Sequence, residues 1–237
     1  MVLHARSLSQ QAYDHVRRSI FNQTLRAGER VVIDSIAQEV GTGIGVVRES
    51  LFRLMTEGLL DYRPNKGFRV SPLLDKNAMT ELYEVRSVLE PSAVMWAAGQ
   101  MAADRLTGLR QTIEEMYACS EQPVYEDYIA FQEADSRFHR LLFHYAGNQT
   151  MERLYGSLYV HLHMARFYEV LKRVDVIAGC EEHEEIVRAL AGGDPAAARE
   201  SMVHHLEASR LRFLPVFQSD WCSVQEGGGG DRGAESG

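Results

Sequence analysis

Four side chains in the second half of the chain have the types and spacing to hold a cation. Asp135 falls in the middle of an apolar helical stripe made by Tyr128, Phe131, Phe138, Leu142 and Tyr145. A carboxylate there is costly unless it is paired or bound to a cation. His139 follows one turn later and projects from the same face. His183 begins a face with Ile186, Val187 and Leu190, and His205 shares one with Ala198, Met202 and Ser209. His204 is about 100° further round the helix and faces elsewhere. One carboxylate and three imidazoles, drawn from three helices, suit zinc or another divalent first-row ion, nickel and manganese being the alternatives. Glu182 or Glu184 could orient a ligand from outside. In the competing reading, Asp135 pairs with Arg137 or Arg140 and the histidines are satisfied core groups. His161 and His163 flank Leu162 and do not share a helical face, although His163 could line a cavity. His15 and His144 have no acidic or histidine partner at i+4.

The elements that must position these groups belong to a chain of 237 residues, 45% apolar and 24% charged, long enough for one or two domains with real cores. Its charge is uneven. Residues 1–74 carry 10 Lys/Arg against 7 Asp/Glu, a balance of +3, while the remainder carries −11 of the overall −8. A mildly basic module followed by a larger acidic one suits a protein in which only the first part meets phosphates. No apolar run approaches the roughly 20 residues that span a bilayer, and the first ten residues lack a signal-like apolar core. A soluble cytoplasmic protein without membrane contact is expected. Cys119, Cys180 and Cys222 form no metal or redox pair, which fits a reducing compartment.

The first module reads as helix, helix, turn, helix, ribbon. Ala12, Val16 and Ile20 mark a first helix after Ser9, expected to end near Arg26-Ala27-Gly28. A short second helix, capped by Asp34 or Ser35, buries Ile36, Ala37 and Val40 and stops at Gly41. Val47, Leu51, Leu54 and Met55 then mark a third helix with Arg48, Glu49 and Arg53 on its other side. Leu60/Tyr62 and Phe68/Val70 alternate around Pro64-Asn65-Lys66-Gly67 as a two-stranded ribbon. A helix after a tight turn fits the major groove, and a basic ribbon can reach phosphates beside it.

These segments resemble a known family. LRAGERV at 25–31, IAQEVG at 36–41, VVRESLFRLMTEGLL at 46–60 and NKGFRV at 65–70 are similar to the winged helix-turn-helix of GntR-type transcription regulators. The resemblance covers residues 9–71 and implies double-stranded operator DNA as partner. Arg48 matches the family arginine directly. Arg30, Lys66 and Gly67 join it as expected DNA contacts, and Arg53 is added from its place on the helix. Where such proteins have Ser or Thr followed by Arg and Thr or Pro, this chain has Gly43, Ile44, Gly45 and Val46. Backbone N–H groups there could hold a phosphate, and Ile44 could meet a thymine methyl.

From Ala78 the stripes lengthen: Ala78, Leu82, Val85, Leu89, Ala93 and Trp96, then Leu106, Leu109, Ile113 and Met116. The expected fold is mainly α, a winged helix-turn-helix of three helices and a short wing followed by an all-α antiparallel bundle. The domains fall at 1–72 and 77–217, with a joint at Ser71-Pro72 and a disordered glycine-rich tail at 218–237. ELYEVRSVLEPSAV at 81–94, ADSRFHRLLFHYAGN at 134–148 and HEEIVRAL at 183–190 resemble the FCD effector-binding domain of FadR-type members. In metal-containing members an Asp and His four apart plus two later histidines bind the ion, a match that falls on Asp135, His139, His183 and His205. The resemblance further implies a small carboxylate effector contacted by Arg86 and Asn148. Arg86 could instead pair with Glu90 or Glu133. The function that follows is a ligand-responsive repressor acting as a homodimer. The alternative is a metal-dependent hydrolase using the Asp/His site.

Overall fold

A computed structural model describes residues 7–119, 125–165, 176–213 and 217, so the tail expected to be disordered lies outside the described residues. The first helix, α1 (Leu8–Phe21), starts where Ser7 Oγ accepts the N–H of Gln10 at 3.1 Å. It ends earlier than its apolar spacing suggests. The Ser19 carbonyl accepts the N–H of Leu25 at 2.8 Å, and Gln23 turns to φ 58°, so the chain leaves the helix before Arg26. In α2 (Ile33–Val40) the expected Asp34 or Ser35 cap is replaced by Val32, which makes no side-chain cap bond. Both polar residues fall inside the first turn, where Asp34 still meets the favourable end of the helix dipole. Gly41 at φ 68° closes α2, and α3 (Ile44–Thr56) follows.

The wing is an antiparallel pair, β1 (Leu60–Arg63) and β2 (Gly67–Val70), in the register Leu60↔Val70 to Arg63↔Gly67. Left-handed Asn65 and Gly67 make its turn possible. Arg30 bridges Arg69 on the outer side of β2. Behind the wing, Ala12, Val16 and Ile20 of α1 pack with Val47, Leu51 and Leu54 of α3 and with Leu60, Phe68 and Val70. Ser50 Oγ also donates to the Ser9 carbonyl at 2.7 Å, which fixes the start of α1 against α3.

The second module is helical throughout its described residues: α4 (Lys76–Ala98), α5 (Ala103–Tyr117), α6 (Tyr125–Tyr145), α7 (Gln149–Gly156), α8 (Val160–Ala165), α9 (Val176–Ala191) and α10 (Pro195–Phe213). Helix α10 lies against α4 and α9, while α5 lies against α6 and α9. The expected α4 stripe is only half right. Leu82 and Ala93 are buried, whereas Val85 and Trp96 are exposed, and the inner face is carried by Met79, Tyr83, Arg86, Glu90, Val94 and Ala97. Apolar residues occupy two opposite faces of α4, so a single stripe fitted to the sequence lands between them.

The two modules share surfaces. Ile129 of α6 and Tyr159 before α8 pack onto the core of the first module. Arg17 Nη2 donates to Glu133 Oε1 at 3.0 Å, and the His163 ring sits 3.6 Å from where a β-carbon on Gly58 would stand.

Candidate functional site

Helices α6, α9 and α10 bring Asp135, His139, His183 and His205 together, with their ligand atoms all within 4.8 Å of one another. The three imidazoles are almost fully enclosed; the Asp135 side chain keeps 19% exposure, so one side of the cluster opens outward. What the rings do with their other nitrogens decides the chemistry. His183 Nδ1 donates to the Gly179 carbonyl at 2.6 Å, and His205 Nδ1 donates to Glu182 Oε2 at 2.8 Å. Glu90 Oε2 stands 2.7 Å from His139 Nδ1, near it but off the line of a hydrogen bond. Each Nδ1 therefore faces an acceptor, and the Nε2 atoms of His139 and His183 face inward. His139 Nε2 and His183 Nε2 lie 3.3 Å apart, with Asp135 Oδ1 3.3 Å from the latter. Inward lone pairs beside a carboxylate oxygen form a donor set for a divalent ion, oriented from behind as metal imidazoles are.

The electrostatics favour neutral, ion-ready rings at His183 and His205, while the carboxylates beside His139 hold a proton on it that an ion must displace. Burial, with the neighbouring imidazole His205, pushes the His183 ring well below the ordinary histidine range; burial lowers His205 too. Both stay neutral and available as ligands. Burial would also lower His139, but the Glu90 and Asp135 carboxylates outweigh it and hold it at about 9. Glu182 is raised by burial yet held at about 2 by hydrogen bonds from Arg212 and His205. Arg212 grips both its oxygens, at 2.5 and 2.8 Å.

A cavity of about 160 Å³ opens beside the cluster, lined on its polar side by Arg86, Gln132, Asp135, His183 and His205. Phe131, Val160, Met164 and Phe213 make its apolar walls. Arg86 both lines the cavity and pairs with Glu90, its Nε 2.6 Å from Glu90 Oε1, so the two readings of this residue coexist. The other suggested partner, Glu133, is taken by Arg17, and Arg137 pairs with Glu115 rather than with Asp135. Asn148 is not brought to the cavity. Its side-chain oxygen accepts the N–H of Met151 at 3.1 Å as the cap of α7, a local bond that faces solvent. Of the two acids flanking His183, Glu182 turns inward and Glu184 outward. Sequence reasoning missed Arg212 altogether, although it stands two turns after His205, on the same side of α10.

In the first module Arg48 is exposed on α3, Lys66 is exposed at the tip of the wing beside half-buried Gly67, and Arg30 is exposed beside β2. Arg53 is engaged within the protein. Its guanidinium lies 3.8 Å from the Tyr13 ring centre, with Nε on Glu57 and Nη1 on Gln10 at 3.2 and 2.9 Å. It clamps α3 to α1, a position that helical phase on α3 could not reveal.

Family models match both modules: "Bacterial regulatory proteins, gntR family" over residues 8–70 and "FCD domain" over residues 81–208. The chain belongs to the GntR family of bacterial transcription regulators. It is 30% identical to the Nta operon transcriptional regulator of Aminobacter aminovorans over 81% of this chain and 88% of that one. It is 28% identical to a probable D-xylose utilization operon transcriptional repressor of Paenarthrobacter nicotinovorans, over 89% and 88%. Its fold matches the solved structure of Escherichia coli McbR/YncC with a TM-score of 0.68 at 20% identity, covering 90% of this chain and 99% of that one. This GntR-family regulator is thus no enzyme, and the hydrolase alternative falls. No helix among its described residues is long and apolar enough to cross a membrane.

Proposed function

We propose that this regulator is a cytoplasmic repressor whose C-terminal bundle binds a divalent metal and a small carboxylate, and that the carboxylate alters the grip of a homodimer on operator DNA. The observation that carries this is the donor set: three clustered imidazoles and one carboxylate oxygen, with the His183 and His205 rings oriented from behind by hydrogen bonds. Asp135, His139, His183 and His205 would hold the ion, zinc first by donor type, with nickel or manganese as alternatives. The bound ion would supply positive charge at the cavity floor. Arg86 would add a guanidinium fork for the effector carboxylate. Arg48, Lys66, Gly67 and Arg30 would meet DNA; Arg53 would act by holding α3 in place. Repression is the mode named for the Paenarthrobacter relative.

The test is elemental analysis of protein purified without chelators. About one metal per chain is expected. His205→Ala should lose the metal and melt lower, whereas His204→Ala, next in sequence but exposed, should change neither. Equal losses in the two variants would remove the site.

A further inference from the structure

Most glycines of the first module that end turns do so at positive φ: Gly28, Gly41, Gly58 and Gly67 all lie between 68° and 78°. Gly43 and Gly45, at the head of α3, are different. Gly43 has φ −80° and ψ 150°, which any residue adopts, and Gly45 is an ordinary helical residue. A β-carbon at either position would meet nothing within 4 Å. Neither backbone conformation nor internal packing requires glycine there, and glycine is a poor helix former. Between them stands Ile44, a branched apolar side chain left 46% exposed on the first residue of the helix. One such residue is unremarkable on a surface. Its place is informative: Arg48 follows one turn later on the same exposed side, while Val47, Leu51 and Leu54 fix the opposite side in the core.

The first residues of a recognition helix are those that reach base edges, and glycine is used where backbone must approach another surface closely. We infer that Gly43 and Gly45 let the start of α3 press against the floor of the major groove, where the Ile44 side chain reads the C5-methyl group of a thymine. Thymine alone offers such a methyl there. Ile44 is therefore a specificity-determining residue that reads by apolar contact rather than by hydrogen bonds. The inference concerns the DNA module and is independent of the metal and the effector.

The experiment starts by selecting binding sites from a random duplex pool with the full-length protein. Each thymine of the selected site is then replaced singly by deoxyuridine, which removes only the methyl group. At one thymine per half-site the wild type should lose about fourfold in affinity, the worth of one buried methyl. Ile44→Ala should bind more weakly and be indifferent to the same replacement. Gly45→Ala should raise the melting temperature, because alanine favours the helix, yet weaken DNA binding by roughly tenfold through crowding. Opposite signs on stability and binding separate close approach from damage to the fold. The inference is overturned if no thymine is sensitive, if Ile44→Ala keeps the sensitivity, if Gly45→Ala binds like wild type, or if the pool yields no preferred sequence. A protein that carries no metal would leave these results unaltered and would sink only the effector reading.

Discussion

Glu182 bridges two residues that do different work: His205, whose ring it orients, and Arg212, which neutralises it. Removing its charge while keeping its shape should loosen the ring without breaking α9. Glu182→Gln is expected to weaken metal affinity by about 10- to 100-fold, the usual worth of a group behind a metal imidazole. Glu184→Gln, two residues away and exposed, should leave it unchanged. A competitive titration with a zinc indicator measures both, and equal affinities in the two variants would show that Glu182 does not orient the site. At this scale the sequence displayed the four candidate ligands because helical phase links Asp135 to His139 and separates His205 from His204. It could not display Glu90 as the group behind His139, because that pairing crosses from α4 to α6. Asn148 illustrates the converse: its match to a relative's motif hid a short-range cap.

Helix α4 is apolar on two sides. Its inner face holds Tyr83, Arg86 and Val94, while Val85, Val88, Met95 and Trp96 form a stripe on the outer one. At 100° per residue these four fall within roughly a third of the circumference. Scattered apolar side chains are normal, but four exposed ones on one face of a helix make a surface that another chain can cover. It is the face on which the proposed homodimer is tested. Val88 is 70% exposed, so Val88→Glu costs the monomer little and places a charge in the contact. Sedimentation at micromolar concentration should show the variant as a monomer with an intact helical spectrum; an undiminished dimer would place the contact elsewhere. The phase error in the sequence reading of α4 has the same origin, since periodicity reports apolar residues without saying which neighbour covers them. The wing and α3 were legible because each has one buried face. The end of α1 was not, because a Ser19–Leu25 hydrogen bond decided it.

Across the whole molecule, α6 and α8 belong to both modules. Tyr128, Gln132, Val160 and Met164 line the cavity, and their sequence neighbours Ile129, Glu133, Tyr159 and His163 touch the DNA module. The boundary near Ser71-Pro72, read from sequence as a joint between separate domains, says nothing of this shared border, because the residues that make it lie far along the chain. The border bears on how the protein comes apart. A DNA module that loses Ile129 and Tyr159 from the outside of its core no longer has its native surroundings, so melting of the bundle should carry the first module with it. Calorimetry is expected to give one cooperative transition with matching calorimetric and van't Hoff enthalpies, rather than the two transitions of a jointed pair. Zinc added to the proposed site in the bundle should then raise the melting of the winged helix by the same amount. Two separate peaks, with only the upper one moved by metal, would mean that the modules meet without depending on each other. If the single peak is found and metal moves it, the DNA-binding half owes part of its durability to an ion it never touches, and a cell starved of that ion would hold a less durable regulator as well as an unresponsive one.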